Sequence, residues 1–364
     1  MREIEIVSAA EFARRSVVVP PAFELRFPRC WRAQPVQNRY AASIEEETLR
    51  WLKSYGIGCT PEEALKLRAF ECSSYGGYSL PLADFRSGLL VTEFIALWLF
   101  WDDVQVEEEF GWSTDSVVSA LAGHVLSEPS SRYVAAWADL GARLRRTQSE
   151  AWLVRLAASM RQWLENARRE TSMAKAWQTE GVCPELDTLF DCRTISIGMF
   201  PTFYLIEFAE GFELDDAVHC HPTIVELKRL ASRLVGMGND LGGLAKDIEN
   251  DWLNLVLVLA ERCGLTMEAA FERLVCIHNA DVKAFDALVE RIPSFGPASD
   301  LLVRGWVRAV RYNVYGFALW ESTARRYQAR KVVAGNRALV APVTTTMGRL
   351  PRKETRQARV TARP

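Results

Sequence analysis

The sequence has few histidines, almost no net charge and no long apolar run, and each absence argues against a class of protein. Its four histidines show neither HExxH nor HxxxH spacing, which argues against a zinc enzyme. The 44 basic and 46 acidic residues leave a net charge of −2, so nothing favours nucleic acid as a partner. The longest apolar stretch, residues 89–101, contains Thr92 and Glu93 and is too short to span a bilayer, so no membrane insertion is expected.

Signals for secretion are also missing. The eight cysteines form no CxxC pair and no spacing typical of a disulfide framework, which favours free thiols in a reducing compartment. The N-terminal residues include acids and the pair Arg14 and Arg15, without the apolar segment of a signal peptide. We therefore predict a cytoplasmic protein.

Helical periodicity dominates the chain from Ser43 onward, and alternating strand patterns are essentially absent. Ser43 and Glu46 form a capping-box pattern, which predicts the start of the first helix. Apolar spacing predicts further helices at about 61–72, 83–106, 114–127, 131–146, 148–178, 184–208, 222–262, 266–291 and 298–332. The sequence therefore predicts an all-α fold.

No linker rich in glycine, serine or proline divides the chain, so a single folded domain is expected over residues 41–335. Four prolines in residues 1–40 predict an extended arm lying on that domain. Residues 336–364 form a basic tail, with six basic residues from Arg349 onward against Glu354. The tail is either disordered and solvated or becomes ordered over an anionic ligand.

A cluster of acids follows the most apolar predicted helix. Asp103 and Glu107 are four residues apart and share a helical face, and Asp102 lies beside them. Like charges repel one another at a helix C-terminus, where the macrodipole is already negative. A divalent cation such as Mg²⁺ would relieve this repulsion, because it prefers carboxylate oxygens. The alternative is a solvated acidic helix end.

A second polar stripe lies near the end of the predicted helix 222–262. Asn239, Gly243 and Asp247 fall at i, i+4 and i+8, and Lys246 adds a cation beside them. An amide oxygen and a carboxylate separated by a residue without a side chain leave room for a metal and a water. The alternative is a solvated helix face that contains a glycine.

Together, the two segments resemble the class I terpene synthase family. Asp102–Glu107 has the DDxxxE form of its aspartate-rich motif, and Asn239–Asp247 is similar to the triad written ND(L/I)xSxxKE. In some bacterial members an arginine that senses diphosphate precedes the asparagine of the triad by 46 residues, and that position here is Arg193. A late Arg-Tyr pair of the family is matched by Arg326–Tyr327, which begins 79 residues after Asp247.

The resemblance implies a single-domain α-helical bundle with a central active-site cavity, and a role for each matching residue. The implied metal ligands are Asp102, Glu107, Asn239, Gly243 (through a water) and Asp247. The implied substrate-binding residues are Arg193, Lys246, Arg326 and Tyr327, which would donate to diphosphate, and Asp103, which is expected to pair with a basic residue on closure. Arg193 would start a helix break in which Ser196 and the carbonyl of Ile197 help to trigger ionisation; the alternative is a simple kink. Aromatic rings stabilise cations, and the expected cavity residues are Tyr78, Phe94, Trp98, Phe203 and Trp320.

The reaction implied by the resemblance is ionisation of a prenyl diphosphate with three Mg²⁺ ions, followed by carbocation cyclisation to a hydrocarbon or alcohol. Farnesyl diphosphate is the favoured substrate, geranyl and geranylgeranyl diphosphates are alternatives, and a homodimer is possible. Gly243 and Asp247 depart from the serine or threonine and the glutamate of the family pattern. They favour one alternative, an impaired protein that binds prenyl diphosphates. A chain-elongating prenyltransferase is disfavoured, because Asn239–Asp240 stands where a second DDxxD would be expected.

Overall fold

The computed structural model describes residues 23–103, 114–123, 131–250 and 252–324, and most of this part of the chain is helical. The helices, numbered in chain order, are α1 Ala41–Ser54, α2 Pro61–Phe70, α3 Cys72–Ser79, α4 Phe85–Trp101, α5 Thr114–Ala122, α6 Arg132–Leu144, α7 Glu150–Glu180, α8 Leu186–Ser196, α9 Met199–Glu210, α10 Asp216–His219, α11 Pro222–Glu249, α12 Leu255–Cys263, α13 Met267–Val289 and α14 Pro297–Thr323. The all-α prediction is confirmed.

Two long predicted helices are each divided into two. The predicted helix 184–208 is interrupted after Ser196, where Gly198 takes a left-handed conformation with φ of +85°. The predicted helix 222–262 ends at Glu249, and α12 begins after Asn254, whose side chain accepts a hydrogen bond from the backbone N–H of Val256. Apolar periodicity continues across both interruptions, so it could not reveal either one.

The predicted capping box at Ser43 is wrong, because α1 begins two residues earlier, at Ala41. Asn38 organises this start instead. Its buried side chain donates to the carbonyls of Leu80 and Ala83 and accepts from the backbone N–H of Tyr40. The start of α1 is therefore set by a contact with a distant part of the chain.

Residues 23–32 lie against α13 and α14. Trp31 is fully buried and donates its indole N–H to the carboxylate of Asp286 at 3.1 Å. Phe23 packs edge-on against Phe271 at a centroid distance of 5.0 Å. This segment therefore covers the outer side of α13.

Helix packing leaves a central space bounded by several helices. α11 packs against α13, α14 and α8, while α3 packs along α14 and also contacts α4. α9 packs against α4, α7 and α14. Among the described helices, none is both long and apolar enough to cross a bilayer.

Candidate active site

A cavity of about 510 Å³ lies inside the bundle and contains both polar stretches singled out in the sequence. Its wall is built by α2, α3, α4, α7, α8, α9, α11 and α14 and by the residues just after α4 and α11. The charged and amide-bearing residues of the wall are Lys66, Asp102, Asp103, Glu170, Arg193, Asn239, Lys246, Asp247, Glu249 and Asn250.

The acidic end of α4 contributes Asp102 and Asp103, which directly follow its last residue and both line the cavity. Lys66 on α2 lies against Asp103, with Nζ 3.6 Å from the carboxylate oxygen Oδ2 and 3.3 Å from the backbone carbonyl oxygen. The sequence predicts a basic partner for Asp103 without identifying it. Glu107, the third acid of the predicted motif, lies outside the described residues.

The polar stripe on α11 faces the same cavity through Asn239, Gly243, Lys246 and Asp247. Asn239 accepts a hydrogen bond from Arg193 Nη2 at 2.9 Å and donates from Nδ2 to Glu321 on α14 at 2.9 Å. A Cβ on Gly243 would lie 3.4 Å from Asp247 Oδ2, an ordinary van der Waals distance. The missing side chain at position 243 therefore leaves open space beside the carboxylate.

Arg193 joins α8 to α7 and α11. Nη1 lies 3.1 Å from Glu170 Oε1, and Nη2 lies 2.6 Å from Asp240 Oδ1. Burial alone would lower the pKa of Arg193, but the charges of Asp240 and Glu170 outweigh this effect and raise it. The guanidinium is therefore held permanently charged in the cavity wall.

The Asp247 carboxylate is held by a hydrogen bond from Asn254, a residue that the family pattern does not include. Asn254 donates from Nδ2 to Asp247 Oδ2 and to the backbone carbonyl of Asp240, both at 2.8 Å. Burial raises the pKa of Asp247, whereas Lys246 and Asn254 oppose that shift. A buried carboxylate of this kind is stabilised by a cation in the cavity.

The interruption between α8 and α9 is anchored by two side chains of α7. Ser196 donates from Oγ to the Glu170 carboxylate, and its carbonyl accepts the indole N–H of Trp163 at 2.7 Å. On the other side, a Cβ on Gly198 would lie 2.7 Å from the Trp98 ring. Ser196, Ile197 and Gly198 all line the cavity. Contacts with α7 and with Trp98 of α4 therefore hold the backbone of the break in place.

Aromatic rings form much of the remaining wall. Trp98 and Trp163 meet edge to face at a centroid distance of 4.8 Å. Tyr75 lies 5.0 Å from Trp320, which donates its indole N–H to the carbonyl of Phe70 at 2.8 Å. The rings are thus oriented by hydrogen bonds and edge contacts, which keep their positions relative to the cavity fixed.

Three predicted cavity residues lie elsewhere, each about one helical turn from a residue that does line the cavity. Phe94 packs against Trp137 at 4.8 Å, and Ile95 takes the cavity position. Phe203 packs against Phe200 and Trp306 in the core, whereas Met199 and Thr202 face the cavity. Tyr75 lines the cavity, whereas Tyr78 is absent from its wall, and the backbone of Tyr78 lies so close to Gly316 that a Cβ there would be 2.3 Å away.

No motif in the sequence indicates a site role for Lys66, Tyr75, Trp163, Glu170 or Asn254. One available signal was the spacing of Trp163, Ala167, Glu170 and Thr171, which places them on one face of a helix and, in the structure, in the cavity wall. Asn254 directly precedes an apolar run and is therefore a typical N-cap. Only the tertiary fold brings these residues to the site.

The donor chemistry of the wall fits a hard divalent cation such as Mg²⁺. Asp102 on one side and Asn239 and Asp247 on the other offer oxygen atoms, and the cavity lining within the described residues contains no histidine or cysteine. These same residues contain no cluster of three or more histidine, cysteine, aspartate or glutamate side chains arranged to hold a metal. The oxygen donors therefore come from two separate helices and include an amide.

Residues 93–284, just over half of the chain, match the family model described as "Terpene synthase family 2, C-terminal metal binding", so the chain belongs to the terpene synthase family and is an enzyme. A 10-epi-cubebol synthase from Sorangium cellulosum is 26% identical over 79% of this chain and 93% of the relative. A (+)-T-muurolol synthase from Roseiflexus castenholzii is 25% identical over 79% of this chain and 89% of the relative.

Solved structures share the fold. Wild-type cucumene synthase superimposes with a TM-score of 0.68 at 24% identity, covering 83% of this chain and all of that one. The SVS_A2 protein from ancestral sequence reconstruction has a TM-score of 0.72 at 20% identity, covering 84% of this chain and 90% of that one. The family and fold implied by the resemblance are confirmed.

Proposed function

We propose that this terpene synthase ionises a linear prenyl diphosphate, favouring farnesyl diphosphate, and cyclises the carbocation to a terpene hydrocarbon or alcohol. The carrying observation is that the acidic end of α4, the stripe on α11 and the break after α8 meet in one cavity that also has an aromatic wall. The hydrogen bond between Arg193 and Asn239 directly connects the helix that precedes the break to the stripe on α11.

The polar part of the cavity suits the leaving diphosphate. Arg193 and Lys246 supply cationic donors, and guanidinium binds phosphate oxygens with a fixed fork of N–H groups. Arg326 and Tyr327, which lie outside the described residues, are proposed as further donors to diphosphate. Asp103 is proposed to act through its basic partner rather than as a metal ligand.

The proposed metal site takes oxygen donors from both helices. Its ligands would be Asp102 and Glu107 after α4, Asn239 and Asp247 on α11, and a water in the space beside Gly243. The proposed cofactor is Mg²⁺, with three ions by family resemblance, and when bound it supplies Lewis-acid stabilisation of the departing diphosphate. Asn254 would keep the Asp247 carboxylate turned toward that site.

The aromatic part of the cavity suits the carbocation. Trp98, Trp163, Tyr75 and Trp320 line the cavity, where each cation–π contact contributes roughly 0.5–2 kcal/mol. Ser196 and the backbone at Ile197 line the cavity at the break and are proposed to assist ionisation there. A carbonyl dipole near the reacting carbon would stabilise positive charge as it develops.

Farnesyl diphosphate is favoured by the relatives. The names of the Roseiflexus castenholzii enzyme and of a (−)-beta-caryophyllene synthase from Saccharothrix espanaensis state that each cyclises (2E,6E)-farnesyl diphosphate. The cavity volume of about 510 Å³ falls within the roughly 300–1,000 Å³ range of small-molecule sites. A cytoplasmic location and a homodimer also belong to this proposal.

Substrate choice is tested by incubating the full chain with geranyl, farnesyl or geranylgeranyl diphosphate and Mg²⁺ and analysing the volatile products. A cyclic C15 product from farnesyl diphosphate is expected. Turnover of geranyl or geranylgeranyl diphosphate alone would replace farnesyl diphosphate as substrate and keep the reaction class. No hydrocarbon or alcohol from any substrate would contradict synthase activity.

One other function is supported by particular residues. Gly243 and Asp247 reduce the number and reach of side-chain oxygens on α11, which suits a protein that binds prenyl diphosphates without turnover. Tight binding of farnesyl diphosphate in the presence of Mg²⁺, with no release of diphosphate over hours, is the result that would favour it over the synthase.

A further inference from the structure

Helix α2 contributes a cation to the cavity wall that no motif of the sequence indicates. Lys66 lies on the turn of α2 that faces the end of α4, and its side chain retains 34% of its accessible surface. Its neighbours Ala69 and Phe70 also line the cavity. Lys66 therefore reaches the cavity from a helix that carries neither the acidic cluster nor the α11 stripe.

The contacts of Lys66 leave donor capacity for another anion. An ammonium group has three N–H donors and no acceptor. Within the described part of the chain, Nζ has two polar contacts, both to Asp103, at 3.3 Å to its carbonyl and 3.6 Å to its carboxylate. Charge-assisted hydrogen bonds are typically about 2.7–2.9 Å long, so this pair is loose.

The other cations of the described cavity wall are Arg193 and Lys246. Arg193 already donates to Glu170, Asn239 and Asp240, which occupy both terminal nitrogens of its guanidinium. Five carboxylates also line the wall. A diphosphate entering this cavity therefore meets more acids than cations, and each cation with donors to spare matters for its binding.

We propose that Lys66 is a substrate-binding residue that donates to a non-bridging oxygen of the diphosphate, beside Asp103. This inference rests on the proposed function. The ammonium group has donor capacity for a second anion beside Asp103, and the diphosphate is the anionic part of a prenyl diphosphate. Lys66 and Lys246 would then hold the leaving group from two different helices, α2 and α11.

The test is calorimetric titration of the full chain with inorganic diphosphate, with and without Mg²⁺. Lys66→Met keeps the length and apolar stem of the side chain but removes its charge. It is expected to weaken diphosphate binding by roughly tenfold or more, as for the loss of a hydrogen bond between charged groups. Lys66→Arg is expected to stay within about threefold of wild type, because a cationic donor is retained.

Lys53→Met is the matched control, because Lys53 is exposed on α1 and absent from the cavity wall. It should bind diphosphate like wild type. Lys66→Gln is used in place of Lys66→Met if the thermal midpoint of the latter falls by more than a few degrees. In the synthase assay, the KM for farnesyl diphosphate should rise most in the uncharged Lys66 variants, little in Lys66→Arg and not at all in Lys53→Met.

The possible outcomes separate this inference from the proposed function. Equal diphosphate affinity in wild type and in a folded Lys66→Met or Lys66→Gln variant would overturn the role of Lys66 while leaving the synthase proposal intact. Wild-type protein that binds no diphosphate with Mg²⁺ would overturn both. Selective weakening in the uncharged variants, with retention in Lys66→Arg, would establish the role of Lys66.

Discussion

Gly243 and Asp247 are the residues at which the α11 stripe differs from the family pattern, and in the structure the two differences are neighbours. The space that a side chain at position 243 would occupy begins 3.4 Å from Asp247 Oδ2. Asn254 holds that same oxygen. A side-chain ligand is missing at one position, and the remaining carboxylate is fixed by a hydrogen bond from outside the stripe.

Gly243→Ser is expected to fold and to tighten Mg²⁺-dependent binding of inorganic diphosphate. The new Cβ meets no short contact, and serine is also a better helix former than glycine by a few tenths of a kcal/mol. Gly242→Ser is the matched control, because it gives the same gain in helix propensity at a position absent from the cavity wall. Calorimetry that shows the same affinity in both variants would contradict a ligand role for position 243.

A buried charge network lies outside the described cavity wall. Lys228 Nζ lies 2.6 Å from His219 Nδ1, and His219 Nε2 lies 3.1 Å from Glu207 Oε1. Burial lowers the pKa of Lys228 from 10.5 to about 8, although Glu207 opposes this shift. The folded state therefore favours the neutral amine more than the unfolded chain does.

This shift predicts a rise in stability with pH. Between about pH 8 and 10.5 the unfolded chain binds more protons than the folded one, so the free energy of unfolding increases across that window. Lys228→Met should remove this component, a difference on the order of 1–3 kcal/mol in urea unfolding curves. Lys53→Met should retain the wild-type slope. Parallel curves for wild type and Lys228→Met would show that Lys228 does not titrate in this way.

For single residues, the sequence predicted the positions of the described motif residues in the cavity wall, but only some of the aromatic positions. The spacing between Arg193 and Asn239 anticipated residues that are in direct contact in the structure. Tyr78 and Phe94 were expected in the cavity, whereas Tyr75, three residues away from Tyr78, and Ile95, next to Phe94, line it. A helix turns about 100° per residue, so the residues that face the cavity are known only once packing fixes the rotation of the helix.

Among the elements, α7 connects the break after α8 to the rest of the site. Trp163 holds the Ser196 carbonyl, and Glu170 holds both the Ser196 hydroxyl and Arg193. On the opposite side, Gly198 lies against Trp98 of α4. The geometry of the break is therefore set by two neighbouring helices as well as by its own sequence.

Gly198→Ala is expected to destabilise the protein and to reduce turnover at least tenfold. The left-handed backbone disfavours any Cβ by about 1–2 kcal/mol, and contact with the rigid Trp98 ring adds an overpacking cost of about 1–3 kcal/mol. Gly211→Ala is the control, because Gly211 also has positive φ, +75°, but nothing lies within 4 Å of its added Cβ. Equal losses of thermal midpoint in the two variants would show that the Trp98 contact is unimportant.

Periodicity predicted most of the long helices, but it predicted neither α3, which apart from Cys72 lies outside every predicted segment, nor the interruptions at 197–198 and 250–254. The resemblance gave the first interruption as a functional expectation. The second depends on Asn254, whose side chain caps α12 and reaches back to Asp240 and Asp247. Such a contact between consecutive helices depends on how they cross, which a one-dimensional pattern does not contain.

In the whole molecule, a net charge of −2 conceals a cluster of charged residues in the cavity wall. The described cavity wall contains Asp102, Asp103, Glu170, Asp247 and Glu249 together with three cations, next to an aromatic surface. A cavity with both a charged and an aromatic surface suits a substrate that has a diphosphate at one end and an apolar chain at the other. We therefore propose that departure of diphosphate and folding of the chain take place in the same cavity.

The most direct test measures diphosphate release and volatile products from farnesyl diphosphate and Mg²⁺, comparing wild type with Asp102→Ala. The account predicts cyclic product from wild type and a loss of both signals by roughly 100-fold or more in Asp102→Ala. Asp187→Ala, at an exposed aspartate of α8 that is absent from the cavity wall, should match wild type. Diphosphate release by Asp102→Ala at the wild-type rate would contradict the account.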